Sequence, residues 1–559
     1  MCYLWPVFGL YCFVTLVMDF GSGFFFLPLG GVGKIGMNVT LYHAHGKWII
    51  VDLGSGFADG DTMPGVDMVV ADVSFIKKKR KDLLGIVLTH AHEDHIGAIP
   101  YLWADLRCPV YTTKFTATLL RAKLAQFSMN VPIEEVDPAS KLELGPFVLE
   151  FVHMTHSTPE MHAVAVHTDF GSVLHTGDWK LDTDPVVGPM SDTDKLKRLG
   201  DDGLLAVISD STNIFTEGRS GSEGSLYENI LSIVKASKRR VAVALFASNI
   251  ARICTLSKIA KASNREVVVL GRSLARAIQA ARDCGYIDDS TEFLDAKQAG
   301  SIPAKNVLYL CTGCQGEPLA ATARLASKSH PLAELGEGDT VVFSSKIIPG
   351  NERRIFGVFN KLVRMGVEVV TEFTEGVHVS GHPSREEVRT LYSLTRPKLC
   401  VPVHGEYMHM YEHVKLAKEC GIKGCVVSAP GDVIDLVEGK KVGSVGCGVF
   451  GIDGNFLRHP EGSVMSARRK MRNAGMVVVT LLMNREHELV KEPMVIAPGA
   501  LDSSEDRVLL SEMARKIGSG LSNSRPRNVK NYVKDVVFGS LKGILKDRPL
   551  VEVQMEYVW

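Results

Sequence analysis

The chain has 559 residues, of which 45% are apolar and 23% charged, the balance of an ordinary globular protein. This length exceeds the size at which one hydrophobic core keeps growing, so we expect about three or four domains. Lys+Arg and Asp+Glu are equal at 63 each, which excludes a basic surface spread over the whole chain and leaves a local patch for any nucleic acid. Eleven cysteines, a sparse and odd number, argue against a disulfide framework and predict a reducing compartment, the cytoplasm.

Residues 1–23 are an apolar N-terminal extension. Its first 18 residues contain no Lys or Arg, so they lack the basic segment that begins a signal peptide. They are also fewer than the roughly 20 apolar residues that a membrane-spanning helix needs. We expect that the natural start is Met18, that the upstream residues are a mis-assigned extension, and that the protein does not engage a membrane.

Between residues 24 and 205, short apolar runs alternate with Gly, Asp and polar turns. This pattern predicts buried strands at Trp48–Asp52, Met68–Ala71, Gly85–Thr89, Phe147–Val152 and Ser172–His175. Helices are predicted between some of these strands, at Ile96–Leu106 and Lys114–Phe127.

The most informative motif is His-x-His-x-Asp-His, which follows the apolar run GIVLT of a predicted strand. Its members His90, His92, Asp94 and His95 are ligand types that zinc and manganese accept. Side chains diverge in a loop, so the first two histidines can bind one ion while Asp94 and His95 bind a second. The motif predicts a metal site on a loop that the sheet positions.

Three later residues are candidates for the remaining ligands. His156, Asp178 and His404 each come after a predicted strand. Singly, such residues are more often turn or core residues. Their recurrence at strand ends, together with the His-x-His-x-Asp-His loop, favours a shared metal site.

The pattern changes after residue 205. Residues 206–375 alternate strands with Ala-, Lys- and Arg-rich helices, which predicts a parallel-sheet α/β domain. Residues 376–455 contain the strand Lys398–His404 and are expected to complete the first domain. Residues 456–559 are expected to be a linker and a small C-terminal α/β domain, with a helix near Asn528–Leu545.

The loop, the lone histidine and the following Gly-Asp resemble the metallo-β-lactamase fold, and the domain inserted before the last histidine resembles its nucleic-acid-processing β-CASP branch. Several stretches are similar to the ribonuclease J family: FLPLGGVGKIGMN (26–38), MPGVDMVVADVSF (63–75), SDSTN (209–213), FASNIAR (246–252), TGCQGEP (312–318), HVSGHPSREE (378–387) and VPVHGEY (401–407). The resemblance implies an αββα sandwich, an inserted β-CASP domain and a small C-terminal α/β domain.

The resemblance also implies two metal ions per subunit, zinc with manganese or magnesium as alternatives. One ion would be held by His90, His92, His156 and Asp178, and the other by Asp94, His95, Asp178 and His404, with Asp178 as the bridge. Such a pair of cations activates water and neutralises phosphoryl charge. Asp52 of IIVDLG would support the metal loop from behind.

By the same resemblance, His382 would be the general acid that protonates the leaving oxygen, and Asp210 would orient it. Asp94 is predicted to be a third catalytic residue. A carboxylate beside an imidazole favours its protonated form. A pocket for the terminal phosphate of RNA would be formed by Ser248, Asn249, His378, Val379, Ser380, Gly381 and His382.

These features favour RNA over three alternatives. A small-molecule hydrolase would not need the inserted domain, and a non-catalytic scaffold would be expected to have lost ligands. In the β-CASP branch, the last-motif residue is typically His in RNA-cutting members and Val in DNA-cutting ones, and here it is His404.

The family implies a 5′-to-3′ exonuclease that prefers 5′-monophosphate RNA, with endonuclease activity, in RNA maturation and mRNA decay. It also implies a homodimer or homotetramer with RNA-decay or ribosome-associated partners.

Two positions depart from the family pattern. Lys34 stands where Glu is more common, which affects the electrostatics of the first loop. Ala251 replaces a His that is common in relatives, which would weaken the terminal-phosphate pocket. Neither residue is a predicted metal ligand.

Overall fold

The computed structural model of the protein describes residues 20–348 and 350–558. The expected start at Met18 lies outside the described residues. The chain forms two compact units, the first from residues 20–55 and Ala71–Gly448, the second from Gly56–Val70 and residues 449–558. In the described part of the chain, no helix combines the length and the apolar character needed to cross a membrane.

The first part of the chain is built mainly from short strands. The strands are Phe25–Pro28 (β1), Val32–Gly33 (β2), Val39–Ala44 (β3), Lys47–Leu53 (β4), Ser55–Phe57 (β5), Met68–Ala71 (β6), Leu83–Val87 (β7), Val110–Thr112 (β8), Ile133–Glu135 (β9), Lys141–Leu144 (β10), Phe147–His153 (β11), His162–Thr168 (β12), Gly171–His175 (β13) and Leu204–Asp210 (β14). The helices are Ser74–Lys78 (α1), Glu93–Ile96 (α2), Ile99–Leu106 (α3), Lys114–Ala125 (α4) and Thr193–Asp202 (α5).

The inserted segment alternates strands and helices, as predicted. Its strands are Val241–Ala244 (β15), Glu266–Leu270 (β16), Leu294–Asp295 (β17), Val307–Cys311 (β18), Thr340–Phe343 (β19) and Glu368–Val370 (β20). Its helices are Leu226–Ala236 (α6), Ile250–Ala262 (α7), Arg272–Asp283 (α8), Ala321–Ala326 (α9) and Glu352–Arg364 (α10), with 3-10 turns at Ala296–Ser301 and Ala304–Asn306. The strands form one sheet in the order β17-β16-β18-β15-β19-β20, and every neighbouring pair is parallel.

The chain then returns to the first domain. The elements here are Arg385–Thr395 (α11), Leu399–Val403 (β21), Gly405–Glu406 (β22), Tyr407–Glu419 (α12), Gly424–Cys425 (β23), Asp432–Asp435 (β24) and Lys440–Ser444 (β25). Two sheets result, in the orders β25-β24-β1-β3-β4-β7-β8-β9 and β10-β11-β12-β13-β14-β21-β23. Their buried side chains share one core, with Tyr42 and Ile49 from the first sheet against Val164 and Ile208 from the second.

Helices α5, α11 and α12 cover the other face of the second sheet through buried leucines, including Leu199, Leu391 and Leu416. Burying an apolar stripe of each helix on a sheet is the main stabilising contribution in such layered folds. The architecture is thus a two-sheet sandwich with an inserted parallel α/β domain, and the predicted fold class is confirmed.

The second unit contains the elements Val449–Asp453 (β26), Phe456–Arg458 (β27), Ser463–Ala474 (α13), Met476–Met483 (β28), Met494–Ile496 (β29), Arg507–Ser524 (α14), Val529–Leu541 (α15) and Leu550–Tyr557 (β30). It holds a three-stranded sheet in the order β29-β28-β30 and a four-stranded sheet in the order β27-β26-β6-β5. Alternate residues of β28 are buried, and they pack with α14 and α15 in a small core of their own.

Candidate metal centre and catalytic cleft

Sheet topology explains why residues far apart in sequence meet at one edge of the sandwich. Strands β13, β14 and β21 are parallel neighbours, so their carboxyl ends point the same way. Asp178 follows the first of these strands, Asp210 ends the second, and His404 follows the third. Carboxyl ends of parallel strands are where α/β folds usually place ligands.

The seven predicted metal ligands lie together at this edge. Two groups of four residues each place one ligand atom within 4.8 Å of the others: His90, His92, His156 and Asp178 in one, and Asp94, His95, Asp178 and His404 in the other. The groups have the membership that sequence and resemblance predicted. The assignment of each residue to an ion stays a prediction.

Asp178 is common to both groups, and its Oδ2 is surrounded by imidazole nitrogens. It lies 3.2 Å from Nε2 of both His95 and His404. It lies 3.8 Å from Nε2 of His90 and 3.9 Å from Nε2 of His156. One carboxylate oxygen is therefore close to histidine nitrogens of both groups.

The histidines of the first group are held in the state that metal binding requires. Burial lowers the pKa of His90 and His156 well below the usual value and that of His92 to about 4. Nδ1 of His92 lies 3.1 Å from Nε2 of each of the other two. Neutral rings with converging nitrogens can direct lone pairs at one cation.

Unsatisfied polar atoms test whether the site fits a metal. Nε2 of His404 lies 3.2 Å from Oδ2 of Asp94. Among the described residues, neither Nδ1 of His404 nor Oδ1 of Asp178 has a hydrogen-bond partner, although both atoms are buried. Burying polar atoms without partners is costly, and a cation would satisfy them. The His/Asp donor set therefore fits a divalent metal site.

The metal loop is held from behind by Asp52, as predicted. Its Oδ2 lies 2.7 Å from Nδ1 of His95, and its Oδ1 accepts the backbone N–H of Thr89 at 2.8 Å. The Thr89 hydroxyl lies 3.0 Å from Nδ1 of His90. These contacts fix the orientation of two predicted ligand rings. Hydrogen bonds to the outer nitrogen of a ligating histidine usually tune a metal site in this way.

His404 is positioned by strained backbone. Its φ of +50° lies in the left-handed region that non-glycine residues seldom adopt. Its N–H donates to the carbonyl of Gly31, and the neighbouring Val32 and Gly33 pair with residues 405 and 406 in the two-stranded β2-β22 ladder. The Gly30–Gly33 segment thus holds the last histidine in place, a role that its local sequence did not indicate.

The predicted general acid and its carboxylate partner are in contact. Nδ1 of His382 lies 2.7 Å from Oδ2 of Asp210 and 4.0 Å from Oδ2 of Asp178. Burial opposes a charge on His382, but the Asp210 carboxylate outweighs it and raises the pKa of the ring. Asp210 is itself fixed, because its Oδ1 accepts the N–H of Thr212 at 2.8 Å. The pair is built to keep a proton beside the metal cluster.

The predicted phosphate pocket and the metal cluster share one loop, His378–His382. The Gly381 carbonyl lies 2.6 Å from Nδ1 of the ligand His156. The hydroxyl of Ser380 accepts the N–H of His382 at 3.1 Å. Nδ1 of His378 is buried without a hydrogen-bond partner in the described structure. The loop therefore contacts the predicted ligand His156, carries the predicted general acid His382 and offers a buried polar atom without a partner.

Of the remaining pocket candidates, Ser248 and Asn249 lie at the start of helix α7, and Val379 lies within this loop. Asn249 caps helix α7, since its Oδ1 accepts the N–H of Arg252 at 2.9 Å, and Ser248 precedes it. The side chain of Val379 faces Gly221. Their part in phosphate binding stays a prediction.

The two positions that depart from the family pattern lie in ordered structure. Ala251 is buried on α7, and the backbone of Lys34 forms an isolated β-bridge with Gly405.

Two buried cations were missed by the sequence analysis. Arg252 contacts Glu223 at 3.0 Å between Nη2 and Oε2, and Nζ of Lys180 lies 2.8 Å from Oδ2 of Asp182. Arg252 also donates to the carbonyls of Ser344 and Val377. A single basic residue is usually solvent-exposed, whether in a helix, as Arg252 is, or outside one, as Lys180 is, so no local signal marked either of them.

Three family models match the chain. The "Metallo-beta-lactamase superfamily" model matches residues 33–195, and the "Ribonuclease J, beta-CASP domain" model matches residues 238–362. The "Zn-dependent metallo-hydrolase RNA specificity domain" model matches residues 366–427. The exact boundaries set from sequence, at residues 205, 375 and 455, stay predictions.

Curated relatives match over most of the chain. Ribonuclease J of Sinorhizobium meliloti is 38% identical over 90% of this chain and 90% of its own length. Those of Synechocystis and Mycolicibacterium smegmatis are 35% and 36% identical, covering 89% and 90% of this chain and 78% and 90% of their own lengths. A crystal structure of a protein of unknown function from Enterococcus faecalis covers 74% of this chain and all of that chain, with a TM-score of 0.51 at 15% identity, which supports the fold alone.

The two-sheet sandwich, the His/Asp cluster at its edge and the inserted parallel domain define a metallo-β-lactamase-fold protein of the β-CASP class. Within that class, the chain belongs to the ribonuclease J family.

Proposed function

We propose that this protein degrades single-stranded RNA as a 5′-to-3′ exonuclease that prefers a 5′-monophosphate end, and that it also cuts internally. Its class, a ribonuclease among the hydrolases, follows from family membership. The observation that carries the finer proposal is the loop His378–His382. It connects the phosphate pocket to a metal ligand through the 2.6 Å contact between the Gly381 carbonyl and His156. A terminal phosphate bound there would hold the first phosphodiester near the ions and the general acid.

The proposed cofactor is two Zn²⁺ per subunit, with manganese or magnesium as alternatives. Two groups of imidazoles and carboxylates that share Asp178 support this count. When bound, the ions would activate a water nucleophile and neutralise charge on the phosphoryl group. The chain's own contribution is to fix the ligand rings through Asp52 and Gly381 and to keep bulk water away by burying them.

Proton transfer to the leaving group is assigned to His382. Cleavage of a phosphodiester releases the 3′ oxygen of the first nucleotide, which must gain a proton. His382 lies beside the cluster, and Asp210 holds its Nδ1 at 2.7 Å, which leaves Nε2 for the substrate. Asp94, whose side chain is 31% exposed and lies 3.2 Å from Nε2 of His404, completes the proposed catalytic set.

The cellular context is proposed from the family alone. We infer roles in RNA maturation and mRNA decay in the cytoplasm, a homodimer or homotetramer, and partners from RNA decay or the ribosome. These are predictions that the single described chain supports only through its family.

A cleavage assay tests the proposal. One labelled single strand is supplied as 5′-monophosphate RNA, 5′-triphosphate RNA and DNA to zinc- or manganese-loaded protein, with His92→Ala as the control. We expect mononucleotides from the monophosphorylated RNA and none from the variant. Internal fragments alone would contradict the exonuclease assignment, and DNA cleavage at the rate of RNA would contradict the substrate.

The general acid is tested separately with a modified leaving group. His382→Ala should slow RNA hydrolysis by about 10²- to 10⁴-fold. Replacing the bridging 3′ oxygen with sulfur should restore most of that rate. A thiol has a pKa of only about 8.5, so the thiolate can leave without first gaining a proton. An equal loss on both substrates would mean that His382 acts in some other way.

A further inference from the structure

Three cations lie near the predicted phosphate pocket, and two of them are already neutralised. Arg252 is paired with Glu223, and Lys180 is paired with Asp182. Both cations are buried, so an incoming anion would have to compete with a carboxylate already in place. Neither is therefore a ready source of positive charge for substrate.

Lys346 differs from both in its partner and exposure. Its Nζ donates to the amide oxygen of Asn213 at 3.2 Å, and among the described residues no carboxylate lies within 4 Å of it. The residue is exposed. No described carboxylate therefore pairs with it, and it remains accessible to a ligand.

The backbone around Lys346 is fixed to the pocket. Two residues earlier, the hydroxyl of Ser344 donates to the carbonyl of Val377 at 2.7 Å, immediately before His378. Gln315 is buried and binds this segment twice. Its Nε2 donates to the carbonyl of Lys346 at 2.7 Å, and its Oε1 accepts the N–H of Ile348 at 2.8 Å. The TGCQGEP motif, which the catalytic assignment leaves unused, therefore serves to position Lys346.

The side chain of Lys346 reaches the segment that follows Asp210. Asn213 lies three residues after Asp210, and its Nδ2 donates to Ser384 at 3.1 Å, just beyond His382. Lys346 therefore lies between the loop His378–His382, which forms part of the proposed phosphate pocket, and the segment that follows Asp210, the partner of the proposed general acid. The charge of Lys346 lowers the pKa of His378, after burial and Arg252. His378 is thereby kept neutral and adds no charge of its own.

A phosphate monoester at an RNA 5′ end carries about −1.5 to −2 charges near neutral pH, more than the single charge of each internal diester. Among the other proposed pocket groups, the hydroxyls, the amide and the neutral His378 imidazole can donate hydrogen bonds but carry no charge, and the proton of His382 is assigned to the leaving group. We propose that Lys346 is a specificity-determining residue that binds the 5′-terminal phosphate of RNA and that Gln315 positions it. This inference rests on the proposed function, because it concerns the same 5′-end pocket.

The test compares two RNAs that differ only at the 5′ end, one with a monophosphate and one with a hydroxyl. The readout is the ratio of kcat/KM for the two RNAs. Lys346→Met should lower this ratio about tenfold by slowing only the phosphorylated RNA, as the loss of a charge-assisted hydrogen bond predicts. Lys346→Arg should retain most of the ratio, and Gln315→Leu should lower it partly.

Lys361→Met is the matched control. This exposed lysine lies in the same domain and also donates to a neutral oxygen, the hydroxyl of Ser327 at 3.0 Å. The ratio should not change in this variant. Inhibition by adenosine 5′-monophosphate, compared with adenosine, gives a second measurement that does not need turnover of the RNA, and Lys346→Met should weaken inhibition by the phosphorylated compound alone.

An equal loss on both RNAs, or no loss on either, would overturn the assignment of Lys346 to the terminal phosphate while leaving the proposed function intact. A wild-type protein that does not distinguish the two RNAs would overturn the proposed function and this inference together.

Discussion

The position of Gly381 leaves no room for a side chain. A Cβ there would lie 2.8 Å from Cε1 and 2.9 Å from Nδ1 of His156. We predict that Gly381→Ala displaces this ring, breaks its bond to the carbonyl and lowers metal affinity by about 10- to 100-fold. Competition with a metal-binding dye measures the affinity.

Gly357→Ala is the control for this prediction, because a Cβ at that helical position meets nothing within 4 Å. Its metal affinity should equal that of the wild type. Unchanged affinity in Gly381→Ala would show that the carbonyl contact does not orient His156.

His413 is a buried residue whose charge state predicts a pH effect on stability. Its ring bonds to Ser211 at 2.8 Å and to Tyr392 at 2.6 Å, and burial lowers its pKa to about 4. Since the unfolded chain titrates near 6.5, the unfolded state gains a proton first as the pH falls. Folding stability is therefore lost between about pH 6.5 and 4, at up to about 1.4 kcal/mol per pH unit from this residue.

The measurement is urea unfolding across that pH range for the wild type and His413→Gln. The glutamine cannot ionise, so the variant should lose less stability per pH unit. Other buried histidines act equally in both proteins, which isolates the difference. Parallel pH profiles would contradict the neutral state assigned to His413.

At the residue scale, spacing alone marked the His-x-His-x-Asp-His loop, and strand ends marked His156, Asp178 and His404. Residues that act through tertiary contacts had no comparable signal. Lys346 is an ordinary lysine in sequence, and only the folded chain places it 3.2 Å from Asn213. The carbonyl of Gly381 contacts the ring of His156, although the two residues are 225 positions apart in the sequence.

The first turn of helix α11 contains a buried carboxylate, that of Glu387, which joins three segments of the chain. Glu387 accepts the N–H groups of Leu181, Ser220 and Ser384 at 2.9 Å each and the Ser220 hydroxyl at 2.8 Å. Removing it leaves four donors unsatisfied, so Glu387→Ala should cost at least about 3 kcal/mol of folding stability. Chemical unfolding monitored by circular dichroism measures the change.

The neighbouring Glu386 provides the comparison, since its side chain is 60% exposed and its one polar contact with the described residues is a 3.8 Å ion pair with Arg219. Glu386→Ala should change stability by less than about 1 kcal/mol. Similar losses in the two variants would mean that the network around Glu387 contributes little.

At the element scale, apolar runs predicted the central strands well, because burial on a sheet selects such runs directly. Phe147–Val152 corresponds to β11 and Met68–Ala71 to β6. The predicted helix Ile96–Leu106 is divided into α2 and α3, and a Cβ at Gly97 would lie 2.1 Å from the Ser55 hydroxyl. That close approach depends on packing, which the local pattern does not contain.

At the scale of the whole molecule, the alternation of strands and helices predicted the inserted parallel domain, and the final histidine predicted a return to the first domain. The grouping of residues 56–70 with the C-terminal part was not predicted. It arises because β6 joins the sheet β27-β26-β6-β5 with strands almost 400 residues later. Pairing between strands so distant in sequence leaves no trace in local periodicity.

The cluster around Asp178 is proposed to bind two ions and to hydrolyse RNA with them. The most direct test is to titrate metal-free protein with zinc while measuring bound metal and the hydrolysis of 5′-monophosphate RNA, for the wild type and Asp178→Asn. We predict two ions per chain and full activity in the wild type, with fewer ions bound and activity reduced by at least about 100-fold in the variant, since losing the bridge disrupts both positions. RNA hydrolysis by metal-free protein, or by Asp178→Asn at the wild-type rate, would contradict the claim.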